Sequence, residues 1–454
     1  MPINPAIFKA YDIRGIYPSE INEEAVYLIA KAYVKHFHVK NVVVAEDVRT
    51  SSKSLKESLV KGLTENGVRV TDIGRAGTDM MYFAVVKLES DGGIIVSASH
   101  NPKEYNGLKL VLKNSYPISS DSGIFDLRDL ILHNSDIDVR GKSGTLDSYA
   151  ILPSYIEHIK TFVNFSGLEP MKVVANGNFG MAGMVAEELV KGSPIELVLL
   201  NEKPDGEFPK GPPDPLREEN RSETIALIRK TGADFGVAWD ADADRCFFFD
   251  ENGEFIHAYY ITALLAKILL RAVNVSGQKV ISDPRLIWAI KEEVEKSGGI
   301  FLTNKVGHTF IKERMRKENA LFAGENSAHY YFKDNFYCDN GMIPFLLILE
   351  ELSSTGKKLG ELVRPYKEKY HTPGELNFKV KDVKLVLESV RKFYDTQKGK
   401  FEEIDGISFE FPSWRFNLRG SNTEPLIRLN IESTDKKTLD EKIAELTQLI
   451  DSEK

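Results

Sequence analysis

The sequence predicts an α/β protein of three related α/β domains and a smaller C-terminal α+β domain, arranged around one central cleft. Short β-branched runs alternate with amphipathic helical patterns through most of the 454 residues, which is the mark of layered α/β architecture. A unit also recurs: Val42-Val43-Val44, Val173-Val174 and Val280-Ile281 each open a strand that runs into a polar turn and then a helical segment. Beyond His371-Thr372-Pro373-Gly374 the pattern changes to strands and helices of a compact α+β kind.

Within each recurring unit a second apolar strand ends in unusual chemistry. Ile94-Ile95-Val96 leads to Ser97-Ala98-Ser99-His100, Phe235-Gly236-Val237 to a run of aspartates, and Leu321-Phe322-Ala323 to Gly324-Glu325-Asn326-Ser327. Sheets of this class bind ligands beyond the carboxyl ends of their strands, so three such ends facing one another imply a shared cleft. Boundaries are expected in the polar stretch 134–147, at the Asp250-Glu251-Asn252-Gly253 turn and near 371–374, giving domains 1–146, 147–252, 253–368 and 369–454. In the last, a strand through Leu376, Phe378 and Val380, a helix over about 384–394, strands near 407–411 and 426–431, and a helix from Lys437 are expected. The row Leu439, Ile443, Leu446 and Ile450 is a packing face. The five prolines from Pro204 to Pro215 stiffen a loop that reads either as a solvated linker or as a cleft wall.

Composition narrows the function. The chain is 42% hydrophobic and 28% charged, as in globular proteins, and its net charge of -8 argues against nucleic acid or an anionic membrane as a partner. No apolar run approaches the ~20 residues of a membrane span, and the N-terminus lacks a signal-peptide core, so a cytoplasmic location is expected. Cys246 and Cys338, the only cysteines, read as ordinary thiols.

Asp240-Ala241-Asp242-Ala243-Asp244-Arg245 sets three carboxylates at every second position. Close anions repel unless a cation relieves them, and carboxylate oxygens suit a hard divalent ion. The triplet alone fits a calcium loop, an aspartyl phosphatase or a phosphotransferase metal cradle. Against the calcium loop, Arg245 stands where an EF-hand needs glycine. Ser99 stands at a strand end beside His100, with Lys109 returning on the next strand. That combination suits nucleophilic phosphoryl chemistry, and a Ser/Asn-rich turn is the plainer alternative.

Phe8-Lys9-Ala10-Tyr11-Asp12-Ile13-Arg14-Gly15, the Ser-His-Asn-Pro loop, the aspartate triplet with its arginine, Gly324-Glu325-Asn326-Ser327-Ala328-His329 and Arg419-Gly420-Ser421-Asn422-Thr423-Glu424-Pro425 follow one another as in the α-D-phosphohexomutases. The chain resembles that family over essentially its whole length, nearest its phosphomannomutase/phosphoglucomutase branch. The resemblance implies three mixed α/β/α domains carrying the phosphoserine, metal and sugar loops, and a fourth carrying a phosphate loop. It implies Ser99 as the phosphorylated serine, and Asp240, Asp242 and Asp244 as Mg²⁺ ligands, with phospho-Ser99 completing the set. It further implies Arg14, Arg245 and Lys109 as cations around the transferring phosphate, with Lys109 the better candidate for general acid/base; near pH 7 that role requires a lowered pKa, which a ring of nearby cations is one way to provide.

His329 is expected to assist proton transfer. Tyr11, His100, Arg285, Gly307, His308, Glu325, Asn326, Ser327 and His329 match substrate contacts. Arg419, Ser421, Asn422 and Thr423 match the grip on the phosphate that is not transferred. The implied reaction interconverts hexose 1- and 6-phosphates, of mannose and also of glucose, with hexose 1,6-bisphosphate as activator, in a monomer or weak homo-oligomer. Phosphoglucosamine mutase is the nearest alternative. Arg-x-Ser-Asn-Thr and Gly-Glu-Asn-Ser favour mannose and glucose phosphates over it. A non-catalytic sugar-phosphate or metal-binding protein on the same fold is the alternative of another class.

The chain departs from the family pattern at Ala241 and Ala328, where glycine is usual. Either alanine is strained if its position requires φ > 0. Glu46 also replaces an arginine of the early loop, which removes any expected role for that position.

Overall fold

The computed structural model describes residues 3–133, 137, 142–420 and 426–451, and contains fourteen α-helices and four sheets among them. Its contacts group the chain into two compact units. The first comprises Met1–Phe255, Gly307–Arg316 and His329–Leu359, and the second Ile256–Val306, Lys317–Ala328 and Gly360–Lys454.

In the first unit, one sheet orders its strands Ile13–Ile16, Tyr105–Leu112, Gly92–Val96, Asn41–Glu46, Arg69–Arg75 and Leu146–Ser148. Its centre is parallel, and Tyr105–Leu112 returns antiparallel to Gly92–Val96, with Lys109 opposite Ile95. The helix Glu23–Phe37 covers this sheet for local reasons. Asn22 caps it by accepting from the Ala25 amide, acids occupy its first turn, Lys35 and His36 its last, and Val26, Ile29 and Tyr33 face the core.

A second sheet holds Cys246–Phe249, Phe235–Trp239, Met171–Asn176 and Ile195–Leu200 in that order. Phe235–Trp239 is wholly buried and pairs antiparallel with Cys246–Phe249, so the aspartates form the turn of a hairpin at the end of a core strand. Both cysteines are buried and unbridged.

The proline-rich loop is part of the packing. A side chain at Gly206 would meet the Val48 carbonyl at 2.2 Å and the Thr50 amide nitrogen at 2.7 Å, so glycine there permits backbone contact with residues 48–50. Phe208 from this loop packs with Val48, Met181 and Ala241.

In the second unit, Lys279–Ser282 lies between Ile300–Thr303 and Phe322–Gly324, all parallel. The C-terminal sheet is antiparallel in the order Glu375–Lys379, Leu426–Ser433, Trp414–Gly420, Ile407–Glu410 and Lys400–Glu402, with helices Val383–Asp395 and Lys436–Asp451. Its core gathers Tyr394, Phe409, Trp414 and Phe416 with Leu446 and Ile450. Leu439 is buried with them and Ile443 partly so, as the helical row requires. The strand Trp414–Gly420 lies inside the sheet at a place where the sequence reading expected none. Arg415, Asn417 and Arg419 alternate with its apolar residues and all three are buried, so its polar face is covered as well. No helix of the described residues is long and apolar enough to cross a membrane.

Candidate active site

Ser99 follows the buried strand Gly92–Val96 and is itself 1% exposed. It has a left-handed backbone (φ 51°), a conformation that non-glycine residues adopt at a cost and that surrounding contacts must hold. Those contacts are explicit. The Ser99 amide donates to Ser97 Oγ at 2.9 Å. Arg49, fully buried, donates through Nη2 to the carbonyls of Ser99 and Asn101, both at 2.7 Å, and through Nη1 to those of Pro102 at 2.7 Å and Tyr105 at 3.0 Å. Asp47 balances the guanidinium and accepts from the Arg49 amide and from Ser52 Oγ. Arg49 thus clamps the serine loop, although the sequence reading assigned no role to this arginine. The fork geometry that singles it out exists only once residues 50 apart meet.

The aspartate turn closes on that serine. Ser99 Oγ donates to Asp240 Oδ2 at 2.9 Å and lies 3.2 Å from His100 Nδ1. Asp242 Oδ2 accepts from Thr78 Oγ1 and from Lys109 Nζ, both at 2.7 Å, and Lys109 also reaches Asp244 Oδ2 at 2.5 Å. All three aspartates are fully buried, and their ligand atoms lie within 4.8 Å of one another. Among the described residues Asp242 Oδ1 and Asp244 Oδ1 are buried without hydrogen-bond partners. A cluster of oxygen donors with two orphaned carboxylate oxygens is suited to a hard divalent cation.

The electrostatics follow from burial and neighbours. Burial and the adjacent Asp244 and Asp242 charges push Asp240 well above the usual carboxylate range. Burial acts the same way on Asp242, but Lys109 and the Thr78 hydroxyl outweigh it and hold Asp242 far below that range. For Lys109 the structure corrects the expectation of a lowered pKa. Burial does lower it, yet Asp242 and Asp244 touch the ammonium and carry it above its ordinary value. His100 is driven well below its ordinary value by burial and by the guanidiniums of Arg245 and Arg14, so its ring is neutral at pH 7.

Arg14 donates to Asn101 Oδ1 at 2.6 Å and to Asp12 Oδ2 at 2.7 Å. Asp12 Oδ1 lies 3.0 Å from His308 Nε2, and Lys312 Nζ is 3.3 Å from His308 Nδ1. Arg245 Nε donates to His329 Nε2 at 2.9 Å, and His329 Nδ1 lies 2.8 Å from Asp339 Oδ2. A lysine and an arginine offer only donors, so Nδ1 of His308 and Nε2 of His329 are acceptors and their protons sit on the opposite nitrogens. Among these three histidines, His100 is the one aimed at Ser99 Oγ. Tyr11 packs edge-on to His308 with centroids 5.3 Å apart, and lies against Gly307, whose φ of 126° favours glycine.

The remaining predicted residues lie in the second unit. Asp283 accepts from Arg285 Nε and Nη2, both at 2.8 Å, from the Asn326 amide at 2.7 Å and from Asn326 Nδ2 at 3.0 Å. This one carboxylate therefore joins Arg285 to the loop bearing Glu325, which is buried, and Ser327, whose Oγ is 3.4 Å from Arg285 Nη2. Arg419 pairs with Glu375 at 3.1 Å. Ser421, Asn422 and Thr423 lie outside the described residues.

The two alanine departures resolve differently. Ala328 has φ 66° and is fully buried, so the strain expected there is present. At the aspartate turn the positive φ falls on Ala243 (61°) and not on Ala241, which packs its methyl with Val48, Met181 and Phe208. Glu46 is buried, with Lys56 Nζ 3.5 Å from Oε1.

Four family models match the chain: Phosphoglucomutase/phosphomannomutase alpha/beta/alpha domain I over residues 5–134, domain II over 153–253, domain III over 257–370, and the Phosphoglucomutase/phosphomannomutase C-terminal domain over 375–449. Three alpha/beta/alpha domains followed by a C-terminal domain are the architecture expected from sequence. The chain is 47% identical over 455 residues to Phosphomannomutase of Vibrio cholerae serotype O1, covering 98% of each. It is 45% identical over 445 residues to Phosphohexose mutases of Xanthomonas campestris pv. campestris, again covering 98% of each. Among solved structures it is similar to a phosphoglucomutase/phosphomannomutase family protein of Burkholderia thailandensis. There the TM-score is 0.89 with 31% identity, over 99% of this chain and 98% of that one.

Proposed function

The chain belongs to the phosphoglucomutase/phosphomannomutase family, and from that premise we propose that it interconverts the 1- and 6-phosphates of mannose and glucose through phospho-Ser99 and a hexose 1,6-bisphosphate. One observation carries the reading: a buried serine hydroxyl 2.9 Å from a cradle of three buried carboxylates.

In the proposed transfer, the bond from phosphorus to Ser99 Oγ breaks as one to a sugar hydroxyl forms. That hydroxyl loses a proton and Ser99 Oγ gains one, with His100 Nδ1, at 3.2 Å, aimed to exchange it. The bisphosphate then presents its other phosphate, and the reverse step restores phospho-Ser99. Catalytic hexose 1,6-bisphosphate activates by phosphorylating Ser99. Asp240, Asp242 and Asp244 are the residues that would hold Mg²⁺, which withdraws charge from a phosphoryl group when bound. Lys109, Arg14 and Arg245 supply fixed positive charge beside the same loop. Burial of Ser99 keeps water from competing with the sugar hydroxyl.

We assign substrate binding to Glu325, Asn326 and Ser327 with Arg285, and to Tyr11, Gly307, His308 and His329. The phosphate that is not transferred is assigned to Arg419, Ser421, Asn422 and Thr423. Because each phosphate must occupy that grip in turn, the grip reads phosphate and not a particular sugar carbon.

Peptide mapping of enzyme treated with hexose 1,6-bisphosphate is expected to locate phosphate on Ser99, and Ser99→Ala to lose nearly all turnover. Phosphate on another residue sinks the scheme. Comparing kcat/KM for mannose, glucose and glucosamine 1-phosphates separates the mannose/glucose reading from that of a phosphoglucosamine mutase. Absence of turnover on all three, with Mg²⁺ and bisphosphate present, revives a binding protein.

A further inference from the structure

The C-terminal sheet carries a carboxylate, Glu375, to which the proposed reaction gives no role. Arg419 and Arg428 stand directly opposite each other on the strands Trp414–Gly420 and Leu426–Ser433, and like charges in that register repel. One carboxylate offsets both. Glu375, on the neighbouring strand, accepts from Arg419 Nη2 at 3.1 Å and from Arg428 Nη1 at 3.4 Å. Asn430, its register partner, steadies the same group, with Nδ2 3.3 Å from Oε2, and Arg285 Nη1 lies 4.0 Å away. Among the described residues Arg419 Nε is buried with no hydrogen-bond partner, so Glu375 does not saturate that guanidinium.

We propose that Glu375 is a resident counter-anion, which keeps these arginines gathered and competes for them with the phosphate of a hexose phosphate. The proposal rests on the assignment of Arg419 to phosphate binding made above. Carboxylate and phosphate draw on the same planar guanidinium donors, so every bond given to Glu375 is one that an arriving phosphate must exchange. Affinity is thereby set below what the arginines alone would provide. That suits a bisphosphate that has to leave the grip and return reversed, since binding that is uniformly tight slows turnover. Glu375 touches no reacting atom and acts as a positioning residue.

Glu375→Gln removes the charge and keeps the size. Inorganic phosphate, titrated calorimetrically into the full chain, is expected to bind about tenfold more tightly than in wild type. In the mutase assay KM for hexose 1-phosphate falls while kcat holds or falls. Should the glutamine variant melt early, Glu375→Asp carries the test. It withdraws the carboxylate by one methylene and is expected to tighten phosphate binding to a smaller degree. A merely structural Glu375 predicts disordered arginines, with weaker phosphate binding and raised KM. That outcome, or unchanged constants in the variant that folds, overturns the proposal. Wild-type turnover measured alongside tests the mutase reading separately, because the calorimetric comparison needs no catalysis.

Discussion

Replacing Arg49 with lysine keeps the charge and removes the fork. In the native loop the guanidinium spans four carbonyl oxygens, those of Ser99, Asn101, Pro102 and Tyr105, at 2.7 to 3.0 Å, while its Nε faces Asp47 at 3.2 Å. A lysine ammonium is a point donor with three hydrogens and cannot span that set, so at least two of the five acceptors lose their charged partner. Hydrogen bonds to charged groups contribute about 1.5–3 kcal/mol each, which places the loss at roughly 3 kcal/mol or more. The loop so released carries Ser99 in a left-handed conformation that a non-glycine residue adopts at a cost, and a displacement of about 1 Å at a reacting atom costs on the order of 100-fold in rate. Arg49→Lys is therefore expected to lower the melting temperature, and to reduce both kcat and the extent of Ser99 phosphorylation at saturating bisphosphate. An unchanged melting curve with turnover within about twofold of wild type refutes the clamp.

Ala328→Gly relieves a left-handed alanine, whose strain of about 1–2 kcal/mol exceeds the ~0.4–1 kcal/mol entropic cost of glycine in the unfolded chain. It is expected to leave stability equal or higher in thermal melts, and a loss above about 1 kcal/mol contradicts the strain. Asp79 is buried with Tyr155 Oη and the Asn340 amide beside it, and burial raises it from 3.8 to about 8. A carboxyl raised in the folded state favours folding while protonated. Its contribution is complete below the unfolded value of 3.8 and is lost as pH rises through about 8. In Asp79→Asn, which mimics the neutral acid, melting temperature is expected to fall less between pH 5 and pH 8 than in wild type, both measured without added metal. Parallel pH profiles rule that out.

What could be read along the chain was whatever neighbours in sequence decide. The aspartate triplet, the serine at a strand end and the glycine-bearing loops keep their chemistry within a few residues, so the order of motifs exposed both the family and the architecture. The strand Trp414–Gly420 is not legible in the sequence, since its face of arginines and asparagine resembles a surface, whereas partners from other strands and loops bury it. Arg415 donates to the carbonyls of Pro284 and Arg285 and to Glu432.

Tertiary structure alone decided the electrostatics and the clamps. Lys109 meets Asp242 across 133 residues of chain, and two carboxylates at contact outweigh both burial and the nearby Arg14, so the ammonium is held charged. Arg49 finds its carbonyls only when the first sheet brings the two loops together. Which alanine of the aspartate turn is strained was likewise set by the hairpin's path, since φ belongs to a backbone conformation and not to a residue type. Which groups are present, and in what local spacing, is written in the order of residues along the chain. Their protonation and orientation, and the anions that neutralise their charge, were decided by contacts between residues far apart in the chain, because Coulomb and hydrogen-bond energies depend on distance in space.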